Sequence, residues 1–293
     1  MEDRIPVLDR WPEQTPNDPE IRGERYTSRA FMEQEWHGVW TRVWLLLGRE
    51  AELPQPGDWQ MEPVGPEEIL MVRQADGTVK AFHNVCQHRG NPLVSEPKGR
   101  IRSRFVCRYH SWAYLPDGTL NFVPDRDDFP GGDPCDRQRL QELRCETFAG
   151  FVWVNMDPDA VPLREFLGPI HDEWAARGVA QWRRTLANSM WLPCNWKVVM
   201  DNFNESYHVP TVHMAATPDT DRTRIQGAIN THYRETRFDL SDEGHNRMVM
   251  QGGFGVGATD RDGNLREPLA GQLRWWGIDP DEFCGRPEAT RAA

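Results

Sequence analysis

Two short segments, each pairing a cysteine with a histidine, constrain the fold of this chain more than any other feature of its sequence. One residue separates Cys86 from His88, two residues separate Cys107 from His110, and eighteen residues lie between the two pairs. Thiolate sulfur and imidazole nitrogen are ligands for zinc and for iron–sulfur clusters. The fold is therefore expected to bring two loops together around one inorganic centre.

The sequence around these loops is typical of antiparallel β structure. Pairs of short β-type runs flank Asp76-Gly77 and Asp117-Gly118, and Asp-Gly favours the tight turns of β-hairpins. A further strand is predicted within residues 147–156. We therefore predict a β domain over residues 41–155, with each of the two loops beside a hairpin.

Two inorganic centres fit this ligand set. A tetrahedral zinc ion would use all four side chains together, whereas a [2Fe–2S] cluster of the Rieske type would take both cysteines on one iron and both histidines on the other. Zinc sites usually space their paired ligands by two to four residues, but a single residue separates Cys86 from His88. The spacing favours the cluster and leaves zinc open.

Helical patterns lie on both sides of the β region. Apolar residues three and four apart predict an amphipathic helix from Ser28 to about residue 48. We assign residues 1–40 to an N-terminal segment made of an extended arm and the first part of this helix. Further helices are predicted over residues 163–176 and from Asn195 onward, with a strand near residues 183–191. Residues 161–293 are expected to form a second domain.

The segment DNFNESYHVPTVH carries a second group of candidate metal ligands. Glu205 and His208 are three residues apart and would share one helix face, and Pro210 would end the helix so that His213 can return towards His208. Two imidazoles and one carboxylate form the facial triad of non-haem iron oxygenases. Alone this pattern is weak, because helical histidines are often buried structural groups.

The bulk composition excludes several classes of function. The formal net charge of −11 argues against a nucleic-acid partner, because phosphate binding needs clustered Lys and Arg. The longest apolar run, from Val43 to Gly48, is too short to span a bilayer. The acidic N-terminus has no signal-peptide pattern. We therefore expect a cytoplasmic protein with no membrane partner.

With both loops present, the chain resembles a known family. CQHRG and CRYHSWAY resemble the cluster loops of Rieske non-haem iron oxygenases, and DNFNESYHVPTVH resembles the iron motif in the large (alpha) subunit of the ring-hydroxylating dioxygenases. The resemblance implies an α+β chain, in which an antiparallel β Rieske domain precedes a helix-grip (START-like) catalytic domain. It implies a [2Fe–2S] cluster held by four residues, Cys86, His88, Cys107 and His110. It also implies a mononuclear Fe(II) held by His208 and His213.

The resemblance gives Glu205 a role other than that of a metal ligand. In the family, the acid at this position bridges a cluster histidine of one subunit to an iron-bound histidine of its neighbour, which here would join His110 to His208 for electron transfer. Many relatives have Asp here, and the longer Glu is associated with some members that oxidise quaternary amines. The third iron ligand is expected beyond residue 293, so that the catalytic domain would be C-terminally incomplete.

The function implied by the resemblance is that of an oxygenase component. Electrons from NAD(P)H would reach the cluster through a reductase or ferredoxin, and the iron would activate O2 to hydroxylate an apolar, aromatic small molecule. The subunits would form a homotrimer, with or without a small β subunit. A monooxygenase acting on a quaternary amine is the alternative within the family. A Rieske ferredoxin is the alternative from another class of protein, but it would not explain the function of residues 161–293.

Overall fold

The computed structural model describes residues 21–182 and 189–205, with shorter pieces at 208, 212, 237–240, 245–249, 274 and 279–283. The chain divides into two compact units, one formed by Pro19–Leu192 and the other by Pro193–Ala293 with Met1–Asp18. Both Cys–His pairs belong to the first unit, and His208 belongs to the second. Among the described helices, none is long and apolar enough to cross a membrane.

Antiparallel strands form the frame of the first unit. In chain order they are β1 (Leu45–Arg49), β2 (Asp58–Val64), β3 (Glu67–Arg73), β4 (Val79–His83), β5 (Lys98–Arg100), β6 (Phe105–Val106), β7 (Ala113–Tyr114), β8 (Leu120–Phe122), β9 (Glu142–Phe148) and β10 (Phe151–Asn155). Seven of them form one sheet in the order β1-β10-β9-β4-β3-β2-β5, and a small sheet has the order β6-β7-β8. The predicted antiparallel β region is therefore confirmed.

Both predicted Asp-Gly hairpins are present, one between β3 and β4 and the other between β7 and β8. Gly77 and Gly118 each have a φ of 86°, in the left-handed region that glycine adopts without steric cost. In both turns the side chain of the preceding aspartate accepts a backbone N–H two residues later, at 2.9 and 3.0 Å. The turn chemistry thus fixes the register of both hairpins.

The N-terminal helical segment is shorter than the sequence predicts. After α1 (Glu24–Thr27), Ser28 caps α2 (Arg29–Glu35) as expected, and a π-helical turn follows over Trp36–Trp40. The predicted extension to residue 48 is wrong, because Leu45–Arg49 forms β1 and pairs with β10. This apolar run is a strand because its pairing with β10, far along the chain, outweighs the helical spacing of its apolar residues.

Glycines divide two further predicted elements. The strand predicted within residues 147–156 is a hairpin of β9 and β10, whose turn residues Ala149 and Gly150 have φ values of 55° and 77°. The helix predicted over 163–176 is broken at Gly168 into α3 (Leu163–Leu167) and α4 (Pro169–Ala176). Of the strand predicted near 183–191, residues 183–188 lie outside the described residues and 189–191 are not in a strand.

Hydrophobic clusters cover both faces of the large sheet. Leu70 and Val72 of β3 belong to one cluster, and Ile69 and Met71 belong to another. Successive side chains of a strand point to opposite faces, so the sheet is buried on both sides. The first cluster also contains the two loop cysteines. The candidate metal loops are therefore anchored in the core.

The second unit is described only in part. It includes the helix α5 (Trp196–Phe203) and a two-stranded hairpin of β11 (Arg237–Leu240) and β12 (Asn246–Val249). Asn195 caps α5 as predicted. The helix ends at Phe203, so the expectation that Glu205 and His208 share a helix face is wrong. Most of the predicted helix-grip domain lies outside the described residues.

Candidate metal centre

The two loops that carry the Cys–His pairs close through the same backbone hydrogen bonds. In each loop the cysteine N–H donates to the carbonyl five residues later, at 2.9 Å for Cys86 and 2.8 Å for Cys107. In each, the cysteine carbonyl accepts the N–H of the residue four positions later, at 2.9 Å from Gly90 and 3.0 Å from Ser111. Gly90 and Ser111 both have positive φ, at 72° and 59°. The loops are two copies of one turn, and they present their cysteines alike.

The cysteines lie inside and the histidines lie at the surface. Cys86 and Cys107 are each 2% exposed, whereas His88 is exposed and His110 is half-buried. The two imidazole rings approach edge to face, with centroids 4.6 Å apart and planes at 73°. The structure thus brings all four predicted residues to one place, with the sulfur end shielded from water.

Aromatic neighbours hold the two imidazoles in position. His88 stacks on buried Trp112, with ring centroids 4.8 Å apart and planes at 10°. Tyr109 packs against His110 at 3.8 Å between centroids. Partial desolvation of its ring lowers the pKa of His88, and the nearby His110 and Arg89 lower it further. A neutral imidazole is the form that binds a metal, so these contacts suit a ligand.

Tyr114 contributes a hydrogen bond that the sequence patterns did not predict. Its hydroxyl lies 3.3 Å from Sγ of Cys86, and the same oxygen accepts the backbone N–H of Gln87 at 3.0 Å. Either group could donate in a free thiol, but a metal-bound thiolate carries no hydrogen, so the hydroxyl would then donate to the sulfur. Burial raises the pKa of Tyr114 above its usual range, which keeps the hydroxyl protonated. Its position on β7, two residues after Trp112, was the sequence feature that could have indicated a contact with the metal loops.

The donor set fits a two-iron cluster better than a single ion. A tetrahedral zinc ion would take all four side chains on one centre. Two thiols from matched loops and two adjacent imidazoles instead form two pairs. Burial raises the pKa of the Cys86 thiol, and hydrogen bonds from Tyr114 and from the His88 backbone oppose that rise. Both hydrogen bonds would stabilise a metal-bound thiolate.

In the second unit, Glu205 contacts His208 through both carboxylate oxygens. Oε2 accepts the His208 backbone N–H at 3.2 Å, and Oε1 pairs with the ring Nδ1. With Nδ1 engaged by a carboxylate, Nε2 is the ring nitrogen that would bind a metal. The His208 carbonyl accepts the N–H of Val212 at 2.9 Å. His213 lies outside the described residues, so its role as a ligand stays a prediction.

Both groups of candidate ligands lie in segments that match known protein families. Residues 43–142 match the Rieske [2Fe-2S] domain, and residues 177–270 match the ring hydroxylating alpha subunit (catalytic domain). The chain belongs to the family of Rieske oxygenase alpha subunits. The Rieske domain implies a [2Fe–2S] cluster, and the catalytic domain of these alpha subunits implies a mononuclear iron.

The relatives of this alpha subunit include two kinds of oxygenase. Biphenyl 2,3-dioxygenase subunit alpha of Rhodococcus jostii is 35% identical over 69% of this chain and 45% of its own length. The carnitine monooxygenase oxygenase subunit of Acinetobacter baumannii is 32% identical over 64% of this chain and 51% of its own length. The crystal structure of a quaternary ammonium Rieske monooxygenase matches with a TM-score of 0.61 at 30% identity, over 65% of this chain and 53% of that one. The chain thus spans about half the length of these relatives.

Proposed function

We propose that this alpha subunit is the oxygenase component of a multicomponent enzyme that hydroxylates an apolar, aromatic small molecule. The [2Fe–2S] cluster would be held by Cys86, His88, Cys107 and His110. The mononuclear iron would be held by His208, His213 and a carboxylate. When bound, the cluster supplies one-electron transfer from an NAD(P)H-dependent reductase or ferredoxin, and the iron supplies O2 activation. The observation that carries the proposal is the pair of matched loops.

The residues of the Rieske domain, which we place at residues 41–155, would each have a defined task. The core around Cys86 and Cys107 excludes water from the sulfur ligands. Tyr114 donates a hydrogen bond to sulfur, and Trp112 fixes the plane of the His88 ring. This division leaves the histidine edge at the surface, where electrons can enter and leave.

In the catalytic domain, which we place at residues 161–293, Glu205 would connect two subunits. Its carboxylate contacts His208 within one chain, and a carboxylate can accept hydrogen bonds from two imidazoles. We infer that the second imidazole is His110 of a neighbouring subunit. Such a head-to-tail contact closes into a ring, so a homotrimer is the expected assembly, with or without a small β subunit.

A quaternary amine is the second candidate substrate. The carnitine monooxygenase subunits and the quaternary ammonium monooxygenase structure support it, as does the longer acid at Glu205. A panel that contains biphenyl, naphthalene, carnitine and γ-butyrobetaine separates the two classes. Oxygen uptake and product mass with a compatible reductase give the result. Turnover of only the amines would replace the aromatic proposal.

The cluster assignment is tested by electron paramagnetic resonance. The reduced chain should show the low average g value of a histidine-ligated [2Fe–2S] centre, and His110→Cys should shift or abolish the signal because it replaces a neutral ligand with an anionic one. Stoichiometric zinc without labile sulfide would contradict the assignment. In a subunit that includes the third iron ligand, iron counting separates an oxygenase, with three irons per chain, from a Rieske ferredoxin, with two.

A further inference from the structure

An arginine-rich segment runs beside the Rieske site. From residue 97 to residue 116 the sequence has no carboxylate and five cations, although the whole chain carries a net charge of −11. These cations are Lys98, Arg100, Arg102, Arg104 and Arg108. Arg100 pairs with Asp58. The other four are exposed and have no ion pair within the described part of the chain. They therefore present uncompensated positive charge on an acidic protein.

The alternation of buried and exposed residues aligns this charge with the cluster loop. Arg104, Val106 and Arg108 are exposed, whereas Phe105 and Cys107 between them are buried. Successive side chains along an extended segment point to opposite sides. The exposed side chains of Val106 and Arg108 therefore flank the buried candidate ligand Cys107 along the backbone.

Exposed apolar side chains complete the surface. The guanidinium carbon of Arg104 lies 5.6 Å from the ring centroid of Phe122, and Val106, Tyr109 and Phe122 are 48%, 58% and 44% exposed. Arginine and aromatic side chains are enriched at the energetic centres of protein interfaces. We name this patch the arginine surface, and it consists of Arg102, Arg104, Val106, Arg108, Tyr109 and Phe122.

We propose that the arginine surface is the docking site of the electron donor, and that this donor is an acidic one-electron carrier protein. The inference rests on the proposed function, because it requires a cluster behind the surface. The donor would lose one electron, and the oxidised cluster would gain it, with no bond made or broken. Opposite charges steer association, while the net negative charge of the chain would repel the same donor elsewhere. A second copy of this chain is the other candidate occupant.

The experiment uses the 293-residue chain, with a plant-type [2Fe–2S] ferredoxin as the acidic probe. Biolayer interferometry gives its affinity at a series of salt concentrations, and stopped-flow absorbance gives the rate of cluster reduction. Arg102→Glu/Arg104→Glu should weaken ferredoxin binding at least tenfold at low salt and flatten its salt dependence. Arg102→Gln/Arg104→Gln should give a smaller loss. Arg29→Glu, a charge reversal on α2, is the control and should bind as the wild type does.

Methyl viologen radical, a small cation that needs no docking surface, should reduce the wild type and the double variants at similar rates. Wild-type ferredoxin affinity in Arg102→Glu/Arg104→Glu would overturn the proposal. So would loss of self-association in sedimentation with ferredoxin binding unchanged, which would assign the surface to a second copy of the chain. If methyl viologen fails to bleach the wild type, the cluster assignment fails instead, and the binding measurement still decides the docking site.

Discussion

The hydroxyl of Tyr114 lies 3.3 Å from Sγ of Cys86, inside the hydrophobic cluster that anchors both metal loops. The same hydroxyl oxygen accepts a hydrogen bond from the backbone N–H of Gln87. The tyrosine holds the turn that carries His88, and to a metal-bound Cys86 thiolate, which has no hydrogen, it can only donate. Hydrogen bonds to cluster sulfurs are one of the means by which a protein sets reduction potential.

Tyr114→Phe should lower the reduction potential of the cluster. Removing a donor from sulfur favours the oxidised, less electron-rich state, and a difference of about 1 kcal/mol corresponds to about 40 mV for one electron. A redox titration followed by visible circular dichroism measures the shift. Tyr109→Phe is the control, because Tyr109 packs against His110 through its ring. Equal potentials in Tyr114→Phe and the wild type would show that the hydroxyl does not act on the sulfur.

Glu205→Gln should keep iron bound and lose most turnover in the assembled oxygenase. The amide has one accepting oxygen and an NH2 group that can only donate, so it cannot offer a charged oxygen to each of two imidazoles, and changes of this kind cost roughly 10–100-fold in activity or metal affinity. Iron analysis beside O2 uptake separates the two effects. Glu205→Asp, which keeps the charge, should recover part of the activity. Loss of the mononuclear iron with an intact cluster would make Glu205 a ligand.

The two Asp-Gly turns make a matched pair of stability tests. Gly77 and Gly118 share a φ of 86°, but a Cβ on Gly118 would lie 2.5 Å from Cε1 of Phe82, and a Cβ on Gly77 would meet nothing within 4 Å. Gly77→Ala should cost only the backbone strain, about 1 kcal/mol. Gly118→Ala should cost about 1–3 kcal/mol more, because buried Phe82 must move. Urea unfolding measures both, and equal losses would contradict the packing argument.

Asp58 should stabilise the first unit in a pH-dependent manner. Its buried carboxylate accepts hydrogen bonds from Arg100 and from the backbone N–H of Gln55, and the Arg100 hydrogen bond lowers its pKa. A lowered folded-state pKa gives stability that is fully present above the unfolded value, about 3.9, and is lost as pH falls through the folded pKa.

Asp58→Asn should therefore destabilise the unit by about 1–3 kcal/mol at neutral pH, and the difference should shrink below about pH 4. Urea unfolding over a pH series measures it. Glu33→Gln is the comparison, because it removes only an exposed ion pair with Arg29 and should cost less than about 0.5 kcal/mol. A pH-independent loss in Asp58→Asn would show that the charge is not responsible.

Local chemistry was sufficient to predict the elements that depend on neighbouring residues. Asp76-Gly77 and Asp117-Gly118 specify their turns through glycine φ and an aspartate side chain, and Ser28 and Asn195 mark helix starts through their caps. The Cys–His spacing likewise predicted which four side chains meet. Each of these signals lies within a few residues, so no distant contact is needed to interpret it.

Distant pairing explains what the sequence did not reveal. The run at Leu45–Arg49 continues a helical spacing, and only its hydrogen bonds to β10 make it a strand. Gly150 and Gly168 lie inside the predicted strand and the predicted helix, and the hairpin at Gly150 depends on the pairing of β9 with β10. The hydrogen bond from Tyr114 to Cys86 depends on how β7 lies against the first metal loop, which spacing does not encode.

The pairing of β1 with β10 has a consequence for how such proteins diversify. These strands are the first and last of the Rieske domain, and their register joins Leu45 to Val154 and Arg49 to Phe151. The polypeptide thus enters and leaves the domain side by side. A segment whose ends are hydrogen-bonded neighbours can be excised or inserted with short linkers and little disturbance to its host. The two ends of the Rieske domain therefore lie together, so that it could be joined to a different neighbouring domain without rearranging its own strands.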